Sequence, residues 1–259
     1  MITVVLPVLN EAENLRWLLP RIPTDGVEVV MVDGGSTDGS RIVARELRPD
    51  IVIVGQCRPG KGCAMVHGYR RASGDVIVTL DADGSTDPVE IPRFVEALLN
   101  GADFAKGTRE AEGGGSADLT RLRRFGNRGI TWLANRRLST HYSDFCYGYN
   151  AFWRDCLPSL TFTMAGCEET APQQGDGFEI ETYMHVRARL TGLQVVEVPS
   201  YELARINGTS HLRTFSDGFK CLTTLMRAGR VRRRESADLH GTGTEIGLAP
   251  CPSLLALDG

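Results

Sequence analysis

No stretch of this chain approaches the roughly 20 consecutive apolar residues that a membrane-spanning helix requires. The first apolar run, Ile2–Leu6, already reads as a strand, so no signal peptide is expected ahead of it. The seven cysteines (57, 63, 146, 156, 167, 221 and 251) contain no Cys-x-x-Cys pair. Zinc is therefore not expected, and a reducing, cytoplasmic setting is. A Gly-x-Ser-x-Gly elbow is missing, which removes the support for a serine hydrolase. A Gly-x-Gly-x-x-Gly opening to the first helix is also missing, which does the same for dinucleotide redox chemistry. Excess charge is small, a net −3 over 259 residues, and gives no ground for a nucleic-acid partner.

What is present is a regular alternation. Short apolar runs at Ile2–Leu6, Val27–Val32, Ile51–Val54 and Val76–Leu80 are β-branched and apolar on both faces, as buried parallel strands are. Between them lie amphipathic stretches, Glu11–Arg21, Ser40–Leu47 and Lys61–Ala72. Repeated β-α-β of this kind predicts an α/β fold, a mostly parallel, Rossmann-like sheet flanked by helices. Ligands of such sheets bind beyond the carboxyl ends of the strands. That places function in four loops: Pro7–Glu11, Asp33–Asp38, Cys57–Gly62 and Asp81–Asp87. The later half is less regular. Gly113–Gly115 suggests a flexible loop, Leu119–Leu138 a basic helix, Thr163–Gly177 a mobile loop and Phe178–Leu190 a helix. Gln194–Val198 and Tyr201–Arg205 read as strands and Phe215–Arg227 as an amphipathic helix. From Glu235 onward periodicity is lost, which predicts a disordered tail.

Asp81-Ala82-Asp83 follows the fourth strand. Two carboxylates one residue apart on a chain leaving the sheet can share a cation, and hard oxygen ligands suit Mg²⁺ or Mn²⁺. Alone, Asp-x-Asp also serves turns and helix caps. Asp33-Gly34-Gly35-Ser36-Thr37-Asp38 follows the second strand. There Asp33 is a candidate for nucleoside contact, Asp38 for a cap, and the glycines allow close backbone approach. Asn10 is a candidate helix cap and Glu11 a candidate nucleoside contact. Gly55-Gln56-Cys57-Arg58-Pro59-Gly60-Lys61 matches the G-x-x-x-x-G-K of a phosphate-binding loop, which raises a P-loop NTPase as an alternative. It fails at Gly62, where that loop needs a metal-ligating hydroxyl, and at Pro59, which lacks an N–H.

Taken together and in order, these loops resemble family 2 glycosyltransferases of the GT-A fold. The carrying stretches are Val5–Glu11, Val32–Gly39, Gly60-Lys61-Gly62 and Leu80–Asp83. The later stretches Lys106–Arg109, Asp144–Tyr149, Gly177–Glu181 and Glu197-Val198-Pro199 leading to Arg205–Ser210 are similar to those of dolichyl- and polyprenyl-phosphate mannose and glucose synthases. His211 stands where those synthases usually have Lys, Glu179 where they have Gln, and Gly34 where they have a second Asp. The resemblance implies an inverting transfer from a nucleotide-diphosphate sugar of the GDP-mannose or UDP-glucose type. It implies that Glu11 and Asp33 hold the donor nucleoside, with Pro7, Asn10 and Gly35 also in the donor site. Asp81, Ala82 and Asp83 would lie at its diphosphate, with Asp81 and Asp83 as metal ligands. Lys61, Arg109, Arg205 and His211 are candidates for neutralising the leaving group or an acceptor phosphate.

A hydroxyl acceptor needs a general base, whereas a phosphate acceptor is already ionised. Glu181 is the first candidate by motif position, with Asp144 and Asp176 behind it. The expected acceptor is polyprenyl phosphate, with a small soluble hydroxyl compound as the alternative. The basic stretch Phe215–Arg234 suggests peripheral contact of a cytoplasmic enzyme with a membrane. Residues 1–230 are read as one catalytic domain, 1–109 holding the nucleotide-sugar and 110–230 the acceptor, with 231–259 as the tail. Oligomeric state is left open.

Overall fold

The computed structural model describes residues 1–160, 175–208 and 218–227. His211, most of the loop expected at Thr163–Gly177, the start of the helix expected at Phe215 and the tail expected from residue 231 lie outside the described residues.

The chain runs β1 (Ile2–Val8), α1 (Ala12–Leu18), β2 (Val27–Asp33), α2 (Ser40–Leu47), β3 (Val52–Gly55), α3 (Lys61–Arg71), β4 (Val76–Thr79) and α4 (Ile91–Leu99). It continues through β5 (Phe104–Thr108), β6 (Gly115–Ser116), α5 (Arg121–Leu138), β7 (Asn150–Trp153), α6 (Leu157–Leu160), α7 (Ile180–Leu190), β8 (Val195–Pro199) and β9 (Tyr201–Glu202). Residues 218–227 form a further helix. Seven strands make one sheet in the order β3-β2-β1-β4-β7-β5-β8. All neighbours are parallel except β7, which runs antiparallel to both β4 and β5.

Alternation along the strands explains why they are apolar throughout. Val4 and Leu6 of β1 face one side of the sheet, with Leu15 and Leu18 of α1, Val43 of α2 and Phe94 of α4. Val5 faces the other, with Met65 and Tyr69 of α3 and Ile180 and Met184 of α7. A strand covered on both faces has no polar side, as parallel sheets require. Ala134 and Leu138 of α5 pack with Phe145, Val186 and Leu225, which joins the later helices into a third cluster.

Several elements were not visible in the sequence. β7 is four residues beginning with Asn, too short for a periodicity. β5 carries Lys106 and Gly107. Lys106 is fully buried and donates to the Gly107 and Asp144 carbonyl oxygens, so a charged residue sits inside a strand. α4 is a nine-residue helix behind Asp87-Pro88. The expected flexible loop at Gly113–Gly115 is corrected in part. Gly115-Ser116 pairs with Tyr201-Glu202, and a Cβ on Gly115 would lie 2.7 Å from the Tyr201 ring.

Candidate active site

The carboxyl ends of β1, β2, β3 and β4 open onto one cavity of about 440 Å³, lined by Leu9, Glu11, Gly34, Gln56, Asp81 and Asp83 among others. The far wall comes from α5 and α7, with Asn127, Glu181 and Thr182. That volume is within the ordinary range for small-molecule sites.

Asp81 and Asp83 flank Ala82, whose side chain is buried. Gly84 turns the chain at φ +80°, and Asp83 Oδ1 accepts from the Ser85 N–H at 2.9 Å. Lys61 Nζ lies 2.6 Å from Asp81 Oδ1, and Arg205 Nη2 lies 2.6 Å from Asp83 Oδ2. The pair thus presents oxygen donors to one cavity and draws a cationic side chain to each carboxylate. An all-oxygen, anionic donor set of this kind fits a hard divalent ion.

Lys61 opens α3 and also reaches Glu181 Oε1, at 2.7 Å. One ammonium therefore bridges the strand-end aspartate and the first turn of α7. Burial alone would lower the Lys61 pKa, but the Asp81 and Glu181 carboxylates outweigh it and keep the ammonium charged. Burial raises the Glu181 pKa and the nearby Asp81 charge adds to the rise, while Lys61 opposes it. Gly148 faces this contact, and a Cβ there would come within 2.9 Å of Glu181 Oε1.

At the β1 end, Glu11 lies at the cavity with Pro7. Its carboxylate accepts from Asn14 Nδ2 and lies 3.6 Å from Arg205 Nη1. Arg205 therefore joins Glu11 to Asp83. Asp33 is buried and turned into its own loop, where it accepts from the Gly35 and Ser36 N–H groups and from Arg41 Nε at 2.5 Å. Burial raises its pKa, but the Ser36 and Arg41 hydrogen bonds prevail and lower it. Asn10 does not cap α1. It sits at φ +57° and its Oδ1 accepts from the Thr37 N–H at 2.8 Å, tying the first loop to the second. Gly35 takes the left-handed turn beside it at φ +94°.

Two of the three acid candidates stand away from the cavity lining. Asp144 is fully buried, takes two bonds from Arg109 at 2.7 and 3.1 Å and one from Asn127 at 2.9 Å. Burial raises its pKa, yet Arg109 more than offsets that and holds the carboxyl well below the usual range. Arg109 does line the cavity, and is shared with Glu202 at 3.1 Å. Asp176 pairs with Arg58 through two 3.0 Å bonds, and its carbonyl accepts from the Gly62 N–H. Gly62 has no room for a side chain, because a Cβ would lie 1.7 Å from the Gly175 carbonyl oxygen. The glycine that breaks the phosphate-loop pattern is thus a packing requirement. Of the three acids, Glu181 alone lines the cavity. Sequence reasoning missed Asn127 and Glu202, which carry no motif, and Gln56, which stands at an unspecified position of the Gly55–Lys61 match; Glu202 could have been noticed only as the carboxylate facing a buried arginine.

Comparison with known proteins gives the family and the fold. The model of "Glycosyl transferase family 2" matches residues 3–160. A polyprenol monophosphomannose synthase of Mycolicibacterium smegmatis is 31% identical over 219 residues, 81% of this chain and 80% of that protein. A glycosyltransferase of Haloferax volcanii is 29% identical over 255 residues, 96% of this chain and 80% of that one. Among solved structures, glucosyl-3-phosphoglycerate synthase from Mycobacterium tuberculosis in complex with Mn²⁺, uridine diphosphate and phosphoglyceric acid shares the fold with a TM-score of 0.67 at 24% identity, over 88% of this chain and 78% of that one. It is also solved with Mg²⁺ and uridine diphosphate. The expectation of a polyprenyl phosphate acceptor is corrected by these complexes. The same fold is seen there with phosphoglyceric acid, so the fold by itself does not select a lipid acceptor. No helix among the described residues is long and apolar enough to cross a membrane.

Proposed function

This chain belongs to glycosyl transferase family 2, and on that premise we propose that it moves a sugar from a UDP-sugar to a hydroxyl of a small, soluble, phosphorylated acceptor. The donor and acceptor classes are supported by the complexes of glucosyl-3-phosphoglycerate synthase, whose fold it shares. Residues 1–109 form the donor half and residues 110–230 the acceptor half. A P-loop NTPase is set aside by the family and by the packing of Gly62.

The observation that carries the reading is the single ammonium of Lys61 between Asp81 and Glu181. It couples a donor-side acid to an acceptor-side acid across one cavity. Mg²⁺ or Mn²⁺ would be held by Asp81 and Asp83, and would neutralise charge on the leaving diphosphate. Lys61 and Arg205 supply further positive charge at the same place. Glu11 and the loop that Asp33 organises bind the nucleoside. Glu181 accepts the proton of the attacking hydroxyl, and the anomeric centre inverts in one displacement. Arg109 and Arg123 line the cavity and offer cationic contacts to the acceptor's phosphate. Asp144 and Asp176 act as positioning residues, for Arg109 and for the loop before Lys61.

The test is transfer from UDP-glucose to 3-phosphoglycerate with Mn²⁺, with GDP-mannose and phosphate-free glycerate run alongside. Metal-dependent UDP release that requires the phosphorylated acceptor is expected. Failure of UDP-glucose to bind at any Mn²⁺ concentration, or equal turnover of glycerate, would sink the assignment.

A further inference from the structure

The sequence spacing offers no zinc pattern, yet the fold builds a sulfur–nitrogen cluster outside the cavity. Cys57 lies in the loop after β3, while Cys63 and His67 lie one turn apart on the same face of α3. The loop folds back so that one potential ligand atom from each of the three lies within 4.8 Å of the others. Cys57 Sγ is 4.0 Å from Cys63 Sγ, and Cys63 Sγ is 3.7 Å from His67 Nδ1.

These separations can be compared with a coordination shell. Zinc–sulfur bonds of about 2.3 Å and zinc–nitrogen bonds of about 2.0–2.1 Å, set tetrahedrally, put two sulfurs about 3.8 Å apart and sulfur and nitrogen about 3.6 Å apart. The Cys57–Cys63 and Cys63–His67 edges are longer by a few tenths of an ångström or less, and the third edge is within 4.8 Å. We propose that Cys57, Cys63 and His67 form a binding site for Zn²⁺, distinct from the aspartate pair.

The surroundings favour it. Sulfur and imidazole select a soft or borderline ion over Mg²⁺. Arg58 Nη1 lies 3.7 Å from Cys57 Sγ and brings a positive charge beside the cluster. That charge is balanced by Asp176, so it does not repel the metal uncompensated. Cys57 is exposed, which gives the ion an entry path and leaves a fourth position to water. On binding, each thiol releases its proton to solvent. His67 Nδ1 now meets the Cys63 carbonyl oxygen at 2.8 Å, and coordination through it requires the tautomer protonated at Nε2. The bound ion clasps the loop to the first two turns of α3, whose first residue is Lys61.

The test uses the reduced full chain and Co²⁺ as a spectroscopic substitute for Zn²⁺. A thiolate-to-cobalt charge-transfer band is expected, together with protection of two thiols from alkylation by Zn²⁺. Cys57→Ser and His67→Gln should each abolish the band and weaken Zn²⁺ binding more than about 100-fold, beyond the loss typical of an outer-shell partner. Asp83→Ala should leave the band intact, which separates this site from the donor metal. A band unchanged by both Cys57→Ser and His67→Gln overturns the proposal. So does a Cys57–Cys63 disulfide as the stable state, seen as a thiol count that Zn²⁺ does not alter.

Discussion

Glu181 is where chemistry and electrostatics meet. In its proposed role as base it must be ionised to accept a proton, and its pKa is raised above the ordinary 4.5 by burial and by Asp81. Activity therefore falls as pH drops through that raised value, so the acid limb of kcat/KM should lie above the range of a solvated glutamate. Glu181→Gln should remove this limb and lower kcat by roughly 10²–10⁴-fold, with donor affinity unchanged by calorimetry. An unchanged acid limb in the variant would assign the proton to another group. Asp83 carries the complementary expectation. Asp83→Ala should eliminate Mn²⁺-dependent UDP binding while the circular dichroism spectrum is retained; undiminished Mn²⁺-dependent affinity would remove Asp83 from the ligand set. Gly62 shows a residue whose role changed with the third dimension. Gly62→Ser completes the phosphate-loop pattern on paper, but its Cβ would collide with the Gly175 carbonyl. Loss of stability and of transfer is expected, with no gain in ATP hydrolysis; a faster ATPase would restore the rejected reading.

At the scale of elements, the β5 side of the cavity is held by buried ion pairs between segments distant in sequence. Arg109 at the end of β5 joins Asp144 before β7 and Glu202 of β9. Removing one member of such a pair leaves a buried charge without its partner. Asp144→Asn should cost about 3–5 kcal/mol at neutral pH, measured by denaturant unfolding. The Asp144 pKa is depressed in the fold, so its stabilisation is complete above the unfolded carboxyl pKa and fades as pH falls through the folded value. The difference between parent and variant should therefore begin to shrink below about pH 4 and close only as pH falls through the depressed folded value. A difference that persists undiminished there would mean the loss is one of packing.

For the whole molecule, the cavity is made only when both halves are folded together, since β-strand loops supply one wall and α5 and α7 the other. Ligand binding to that assembled site should raise global stability by mass action. UDP with Mn²⁺ at about 100 times Kd adds about 2.7 kcal/mol, and excess chelator should abolish that increment. A rise in melting temperature that survives chelation would show binding that does not use the aspartates.

The sequence by itself determined the half of the molecule that is local in character. Apolar β-branched runs fixed β1 to β4, helical periodicity fixed α1, α2 and α3, and strand-end acids marked Glu11, Asp33, Asp81 and Asp83, because each depends on residues within one turn or one strand. Tertiary structure decided the rest. The antiparallel β7 between β4 and β5, and the burial of Lys106, follow from pairings across dozens of residues that no window can read. The same holds for the acids. Motif position put Glu181 ahead of Asp144 and Asp176, but only the fold shows Arg109 and Arg58 closing onto the latter two while Glu181, paired with Lys61, lines the cavity. A carboxylate's role is set by which charge lies within a few ångströms of it, and that neighbour is chosen by the fold.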